Sequence, residues 1–384
     1  MMNREGMRVS SDGPGGSAVR YTREDGCRAW LAYGDISPEP MAALLREHGS
    51  CEAVYDDFVR RGRAVLEPYT GLAQLDLLES QSDPDAMHGM LLTMRKLDMG
   101  VITREDDRYP YLLRNIDDAP MTLFYRGDPD ILSGRCVTMI GSRKASRAGL
   151  NATRTIAQEL SSVGICIVSG LAMGIDTAAL TGGLEGGSPV AGVMGCGLDI
   201  NYPAGNTKLR ERIISSGGVL LSEYPPGSPA LPWHFPVRNR IMSGLSSAVL
   251  MMEGGVKSGS LTTVRHALDQ GREVFAYPGE AGTPWAEGAH MLLREGANYF
   301  TSAQDILEDM GWQRERPPEA PGKALPPMTP EQKKIYALLL LGEMSFDQLA
   351  ASTEMDSPSL SVALTMLQIT GLIESLPGKV YKAV

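Results

Sequence analysis

The chain has 384 residues, 43% of them hydrophobic, with 43 glycines, 46 acidic and 36 basic residues and a formal net charge of −10. That length allows two to three domains, and no run of about 18 apolar residues marks a membrane span. The acidic balance excludes attraction of nucleic acid by global charge, so such a partner would have to meet a local basic patch. Five cysteines (Cys27, Cys51, Cys136, Cys166, Cys196) lack paired metal-type spacing, and three sit in apolar segments. They point to small buried hydrophobes in a reducing cytoplasm.

Residues 1–20 are rich in Gly, Ser and charge and have no apolar signal core, so a disordered tail is expected. Over 21–95, apolar positions such as Leu44, Leu45, Val54 and Phe58 recur at helical spacing, with a Gly49-Ser50 turn between two helices. This predicts a small helical (SAM/helix-hairpin-like) module, without visible chemistry. From 96 to 311, short apolar runs alternate with amphipathic stretches. The runs are Cys136–Ile140, Cys166–Val168, Val190–Met194, Val219–Leu221, Ala248–Met252 and Val274–Ala276; helical stretches between them include Leu150–Val163, Thr207–Ser216 and Leu261–Gln270. Apolar runs without alternation are strands buried on both faces, and helices between them make right-handed crossovers. The fold class is therefore α/β, a Rossmann-like, doubly wound, mainly parallel sheet.

Residues 312–328 carry five prolines and read as a linker. In 329–384, Glu331–Leu341, Ser345–Ala351 and Ser357–Ile369 read as helices, followed by strand-like Leu372–Ser375 and Val380–Lys382 around Pro377-Gly378. Three helices and a hairpin outline a C-terminal winged-helix domain.

In open parallel sheets ligands bind beyond the carboxyl ends of the strands. The loops there contain Gly141-Ser142-Arg143-Lys144, with Ser146 placed as a helix cap; Ser169-Gly170 through Asp176; Gly195-Cys196-Gly197 and Tyr202-Pro203; Trp233 through Arg240; and Glu253 through Ser260. Glycines at these points let backbone N–H groups face phosphate at a helix N-terminus, and Ser258-Gly259-Ser260 adds hydroxyls. Arg143, Lys144, Arg238, Arg240 and Lys257 supply positive charge along the same sheet edge. That spread suits several phosphates in a row better than one compact nucleotide. Phe235 and Trp233 offer faces for unpaired bases, each stack contributing about 1–3 kcal/mol. Each feature has a structural alternative. Gly-rich turns occur in every doubly wound fold, Trp233 and Phe235 lie beside Pro232 and Pro236 and suit a packed loop, Arg240 suits an ion pair with Glu253 or Asp176, and Asp176 suits a helix cap.

Taken in order, Val137–Arg143, Ser169–Asp176, Ser222–Gly227, Arg238–Leu245 and Lys257–Thr263 resemble the DprA/Smf proteins, over about 100–311. The helical module and winged-helix tail resemble the longer members. The resemblance implies a Rossmann-like domain that binds single-stranded DNA, forms a homodimer and loads the RecA recombinase during natural transformation, with no catalytic step and no cofactor. Matched by motif, the DNA-binding residues would be Gly141, Ser142, Arg143, Lys144, Gly170, Phe235, Arg238, Asn239, Arg240, Lys257, Ser258, Gly259 and Ser260. Met173 and Leu180 depart from the family, which often has a cation and a histidine there; the first departure removes a phosphate contact.

A rival reading is a nucleotide hydrolase resembling the LOG phosphoribohydrolases. Their loop runs Pro-Gly-Gly-x-Gly-Thr and is followed by a glutamate that handles the ribosyl group. Here Glu253–Ser260 contains Lys257, and no acid follows within a helical turn; a cation there opposes oxocarbenium chemistry. The five histidines (His48, His88, His234, His266, His290) have no HExxH spacing, and no Gly-Lys-Ser/Thr ends a Walker A loop. In the tail, Ser357–Ile369 holds neither Lys nor Arg, and residues 329–384 carry four lysines against six acids, a net of −2. The tail is therefore expected to dock protein rather than read a major groove.

Overall fold

A computed structural model describes residues 21–312, 328–339, 342–353, 355–370, 372–376 and 378–383. The expected tail over 1–20, and residues 313–327 of the expected linker over 312–328, lie outside the described residues. The chain divides into two compact units after residue 313, and each is taken by itself.

The first unit opens with α1 (Arg23–Leu31), α2 (Pro38–His48), α3 (Cys51–Arg61), α4 (Leu72–Ser80) and α5 (Pro84–Lys96). Thr22 and Asp25 form a capping box on α1, Ser50 caps α3, and Asp83 caps α5 with Pro84 behind it. Trp30 is fully buried; its Nε1 donates to Leu78 O (2.8 Å), and Tyr55 and Phe58 lie 5.1 Å from its ring. The helices share one hydrophobic core with the sheet, so Trp30 and Leu44 belong to the same cluster as Met99 and Phe124.

The sheet has nine strands: β1 (Met99–Thr103), β2 (Thr122–Gly127), β3 (Cys136–Ile140), β4 (Cys166–Ser169), β5 (Val190–Met194), β6 (Val219–Ser222), β7 (Ala248–Met251), β8 (Glu273–Ala276) and β9 (Asn298–Tyr299). Their spatial order is 1-2-6-5-4-3-7-8-9. Strands β3 to β9 run parallel to their neighbours among themselves, and β2 is antiparallel to both β1 and β6. From β3 the chain builds outward through β4, β5 and β6, then returns to add β7 on β3's other side. The loops after β3 and β7 part there, at the topological switch point. Three strands go beyond the sequence expectation. β1 and β2 are half-buried on an antiparallel margin, and β9 has only two residues.

The helices between strands are α6 (Tyr111–Arg114), α7 (Arg147–Ser162), α8 (Ile175–Gly186), α9 (Thr207–Ser215), α10 (His234–Gly244), α11 (Ser260–Asp269) and α12 (Glu287–Arg294), and α13 (Ala303–Asp309) follows β9. Three glycines (Gly182, Gly183, Gly186) make α8 a poor helix by propensity. Packing explains two of them: a Cβ on Gly182 would stand 2.2 Å from Arg154 O, and one on Gly186 2.3 Å from Gln158 O. The backbones of α7 and α8 touch.

The second unit contains α14 (Pro330–Leu339), β10 (Met344–Ser345), α15 (Phe346–Thr353), α16 (Ser357–Ile369), β11 (Ile373–Leu376) and β12 (Val380–Ala383). Its antiparallel sheet has the order β10-β12-β11. Ile335, Leu349, Leu360, Leu364 and Ile373 form its core. Asp356 caps α16. This is a winged helix, as its sequence predicts.

Candidate nucleic-acid interface

The carboxyl ends of β3, β4 and β5 floor a cleft of about 60 Å³. Arg143 reaches it from the loop after β3, Gly170 to Met173 from the loop after β4, and Met194 to Cys196, Tyr202 and Pro203 from the segment after β5; α10 contributes Phe235 and Arg238.

The Gly141–Lys144 turn is pinned at both ends. Ser142 N donates to Glu253 O (2.6 Å), Ile175 N donates to Ser142 O (3.2 Å), and Lys144 N donates to Ser142 Oγ (3.0 Å). Ser146 caps α7, accepting from Gly149 N (2.9 Å). Its own N and Oγ donate to the Glu253 carboxylate at 2.7 and 2.6 Å. Glu253 is buried and spent on this cap. The side chains of Arg143 and Lys144 emerge exposed from the turn.

Arg238 is only 4% exposed. Its Nη1 donates to Gly170 O (2.8 Å) and to Val193 O, and its Nε to Asn239 Oδ1 (3.3 Å). Burial pulls its pKa below the ordinary arginine value, opposed by Asp176. A Cβ at position 170 would lie 2.6 Å from Arg238 Nη2, so any larger residue there would displace the guanidinium. Asp176 is buried beneath the same loop and accepts from Ala172 N (3.2 Å); desolvation raises its carboxyl pKa against the pull of Arg238. Its helix-cap alternative thus becomes a loop tether.

Phe235 stands between two cations, with the Arg143 guanidinium 5.6 Å and that of Arg238 6.0 Å from its ring centroid. Tyr202 leans on it at 5.4 Å and 39°. Tyr202 is 38% exposed and Trp233, just before α10, 62%. Trp233 is thus a projecting ring rather than part of a packed loop.

Two expectations are corrected, those for Arg240 and Asn239, and a third group of residues stands apart from the cleft. Arg240 is 6% exposed and paired with Glu223 (2.7 Å) and Asp118 (3.2 Å), neither of them the partner its sequence suggests; no phosphate can reach it. Asn239 is buried, with its Nδ2 3.5 Å from Gly259 O, so it ties α10 to the next loop. Lys257, Ser258, Gly259 and Ser260 do not line the cleft. They form the loop after β7, in which Lys257 is exposed, the Ser258 and Ser260 hydroxyls bond each other (2.6 Å) and Gly259 is the N-cap of α11. Tyr202 lines the cleft without motif weight in the sequence, its only signal being its place in a strand-end loop, while Met173 lines it at a position where the sequence departs from the family.

The Cys196 thiol, 1% exposed, is pushed up to about 11 by burial, which suits a space-filling cysteine and not a thiolate nucleophile. No group of three or more His, Cys, Asp or Glu among the described residues could hold a metal, and no described helix is long and apolar enough to cross a membrane.

Against known proteins, residues 100–311 match the family described as DNA recombination-mediator protein A, and 317–379 match the DprA winged helix domain. The chain is 44% identical over 204 residues to the DNA processing protein DprA of Streptococcus pneumoniae, covering 53% of this chain and 72% of that one. It is 33% identical over 323 residues to the protein Smf of Escherichia coli, covering 82% and 86%. Among solved structures, the S. pneumoniae DprA structure superposes with a TM-score of 0.63 at 32% identity, over 76% of this chain and 99% of that one. A Helicobacter pylori DNA processing protein A structure, described by its single-stranded DNA binding mode, gives 0.51 at 28% identity, over 56% and 97%.

Proposed function

Because the chain belongs to the DNA recombination-mediator protein A (DprA/Smf) family, we propose that it binds single-stranded DNA without sequence preference and, as a homodimer, loads RecA onto incoming DNA during natural transformation. One observation carries this reading. The exposed Arg143, followed in the same turn by the exposed Lys144, stands beside the Phe235–Tyr202 ring pair over a buried guanidinium, at the carboxyl edge of the sheet. Cations track phosphates, and rings with open faces take unpaired bases, which a duplex does not present. Lys257, on the neighbouring loop, extends the basic track beyond β7. The single-strand binding mode named for the H. pylori structure supports the same assignment.

The hydrolase reading, which lacks an acid after the loop, gains none from Glu253, since that carboxylate is engaged by Ser146. Fluorescence anisotropy with labelled oligo-dT, beside a ribose-release assay on nucleoside monophosphates, separates the two readings. We expect salt-sensitive binding and no ribose; release of ribose without binding would reverse the assignment. RecA filament assembly on oligo-dT, with and without the protein, tests the loading step. Deletion of 329–384 is expected to leave oligo-dT affinity nearly unchanged, since α16 offers no Lys or Arg. Loss of most affinity on deletion would move the strand to the winged helix.

A further inference from the structure

Arg210 lies on α9, outside the cleft, and is 7% exposed. Such a buried cation ordinarily faces a carboxylate. Arg210 instead grips main-chain oxygens: Nη1 donates to Ile200 O (2.7 Å) and Nη2 to Leu198 O (2.6 Å), and its Nε has no partner among the described residues. Desolvation lowers its pKa, so the arrangement costs stability and returns geometry. The geometry it fixes is specific. Ile200 O also accepts from Tyr202 N (3.0 Å), so one carbonyl joins the guanidinium to the backbone of the ring that leans on Phe235. The same segment is held from the other side by Asp199, whose two carboxylate oxygens accept from Gly227 N, each at 2.9 Å.

We propose that Arg210 is a positioning residue for the strand-binding cleft: without touching DNA, it clamps residues 198–200 and so presets the Tyr202 ring as a base platform beside Phe235. This rests on the single-strand reading given above. A planar fork can hold two carbonyls at once, whereas a lysine ammonium is a point donor on a flexible stem.

The test is a double-mutant cycle read by oligo-dT affinity. Arg210→Met should weaken binding about tenfold, the size of one base stack. In a Tyr202→Ala background the same change should cost nothing further, because the ring it positions is gone. Arg210→Lys should fall between, and Arg212→Met, which removes an equal charge from the exposed side of α9, should bind like the parent. Equal losses in both backgrounds overturn the proposal. If Arg210→Met fails to fold by thermal melting, Arg210→Lys carries the cycle. A second readout needs no DNA: the fluorine resonance of Tyr202 in 3-fluorotyrosine-labelled full-length protein, assigned by Tyr202→Phe, should shift or broaden in the Arg210 variants and not in Arg212→Met. An unmoved resonance overturns the proposal. Parent protein that ignores oligo-dT while the resonance moves as expected would instead sink the single-strand reading and leave the clamp standing.

Discussion

Arg238 and Arg240 stand two residues apart on α10, about 200° around its axis, and the two faces they mark use the same side chain in opposite ways. Arg238 turns toward the strand ends and is satisfied by the carbonyls of Gly170 and Val193. Arg240 turns away from the cleft and is satisfied by the carboxylates of Glu223 and Asp118. Carbonyl partners leave the Arg238 guanidinium without a direct ion pair, with Asp176 acting on it only through space, whereas the carboxylates bonded to Arg240 cancel its charge. Burial alone therefore says little about whether an arginine serves a site. The identity of its acceptors decides.

The comparison is easiest to break through stability. Arg240→Ala leaves the part-buried Glu223 without its cation and should cost about 2–3 kcal/mol in denaturant melts, while the folded fraction keeps its oligo-dT affinity. A large affinity loss at full stability would put Arg240 in the site after all. On the cleft side, Arg143→Ala with Lys144→Ala should lower affinity about tenfold or more and flatten the salt dependence by about 0.7 for each phosphate no longer neutralised. Phe235→Ala should remove about 1–3 kcal/mol of binding free energy with the salt slope unchanged, which separates stacking from charge. The smallest effect concerns His234, the first residue of α10, stacked on Tyr224 at 3.8 Å. Burial lowers its pKa from 6.5. The unfolded chain therefore takes up the proton first, and stability should fall as pH drops below about 6.5. His234→Gln should flatten that part of a melting-temperature profile; an unaltered profile would assign the acid loss elsewhere.

The central strands are legible because both of their faces are buried: Cys136–Ile140 and Val190–Met194 form with the bounds their apolar runs predict. The antiparallel pair β1 and β2 is less legible, since a half-covered margin needs no continuous apolar run. Helix α8 is hidden for another reason, its glycines being set by contact with α7 and not by helix preference. In the cleft, Arg143 is legible because strand-end loops are where such folds place ligands; Phe235, expected in such a loop, is instead held in the first turn of α10. The fate of Arg240 is not, because Glu223 and Asp118 reach it from other elements and nothing in Arg238-Asn239-Arg240 says which way each side chain turns. Tyr202 escapes for the same reason: what makes it a platform is a ring on a different element.

The glycine contact between α7 and α8 has a consequence for how a floppy polymer is captured. With no side chains to cushion them, the two helices form one stiff block, and the turns that feed them, bearing Arg143 and Gly170, are bonded to each other through Ile175 N and Ser142 O. A strand settling there then gives up its own disorder and little of the protein's. Alanine at Gly182 or Gly186 would wedge that block apart, and with it the spacing of the two neighbouring turns.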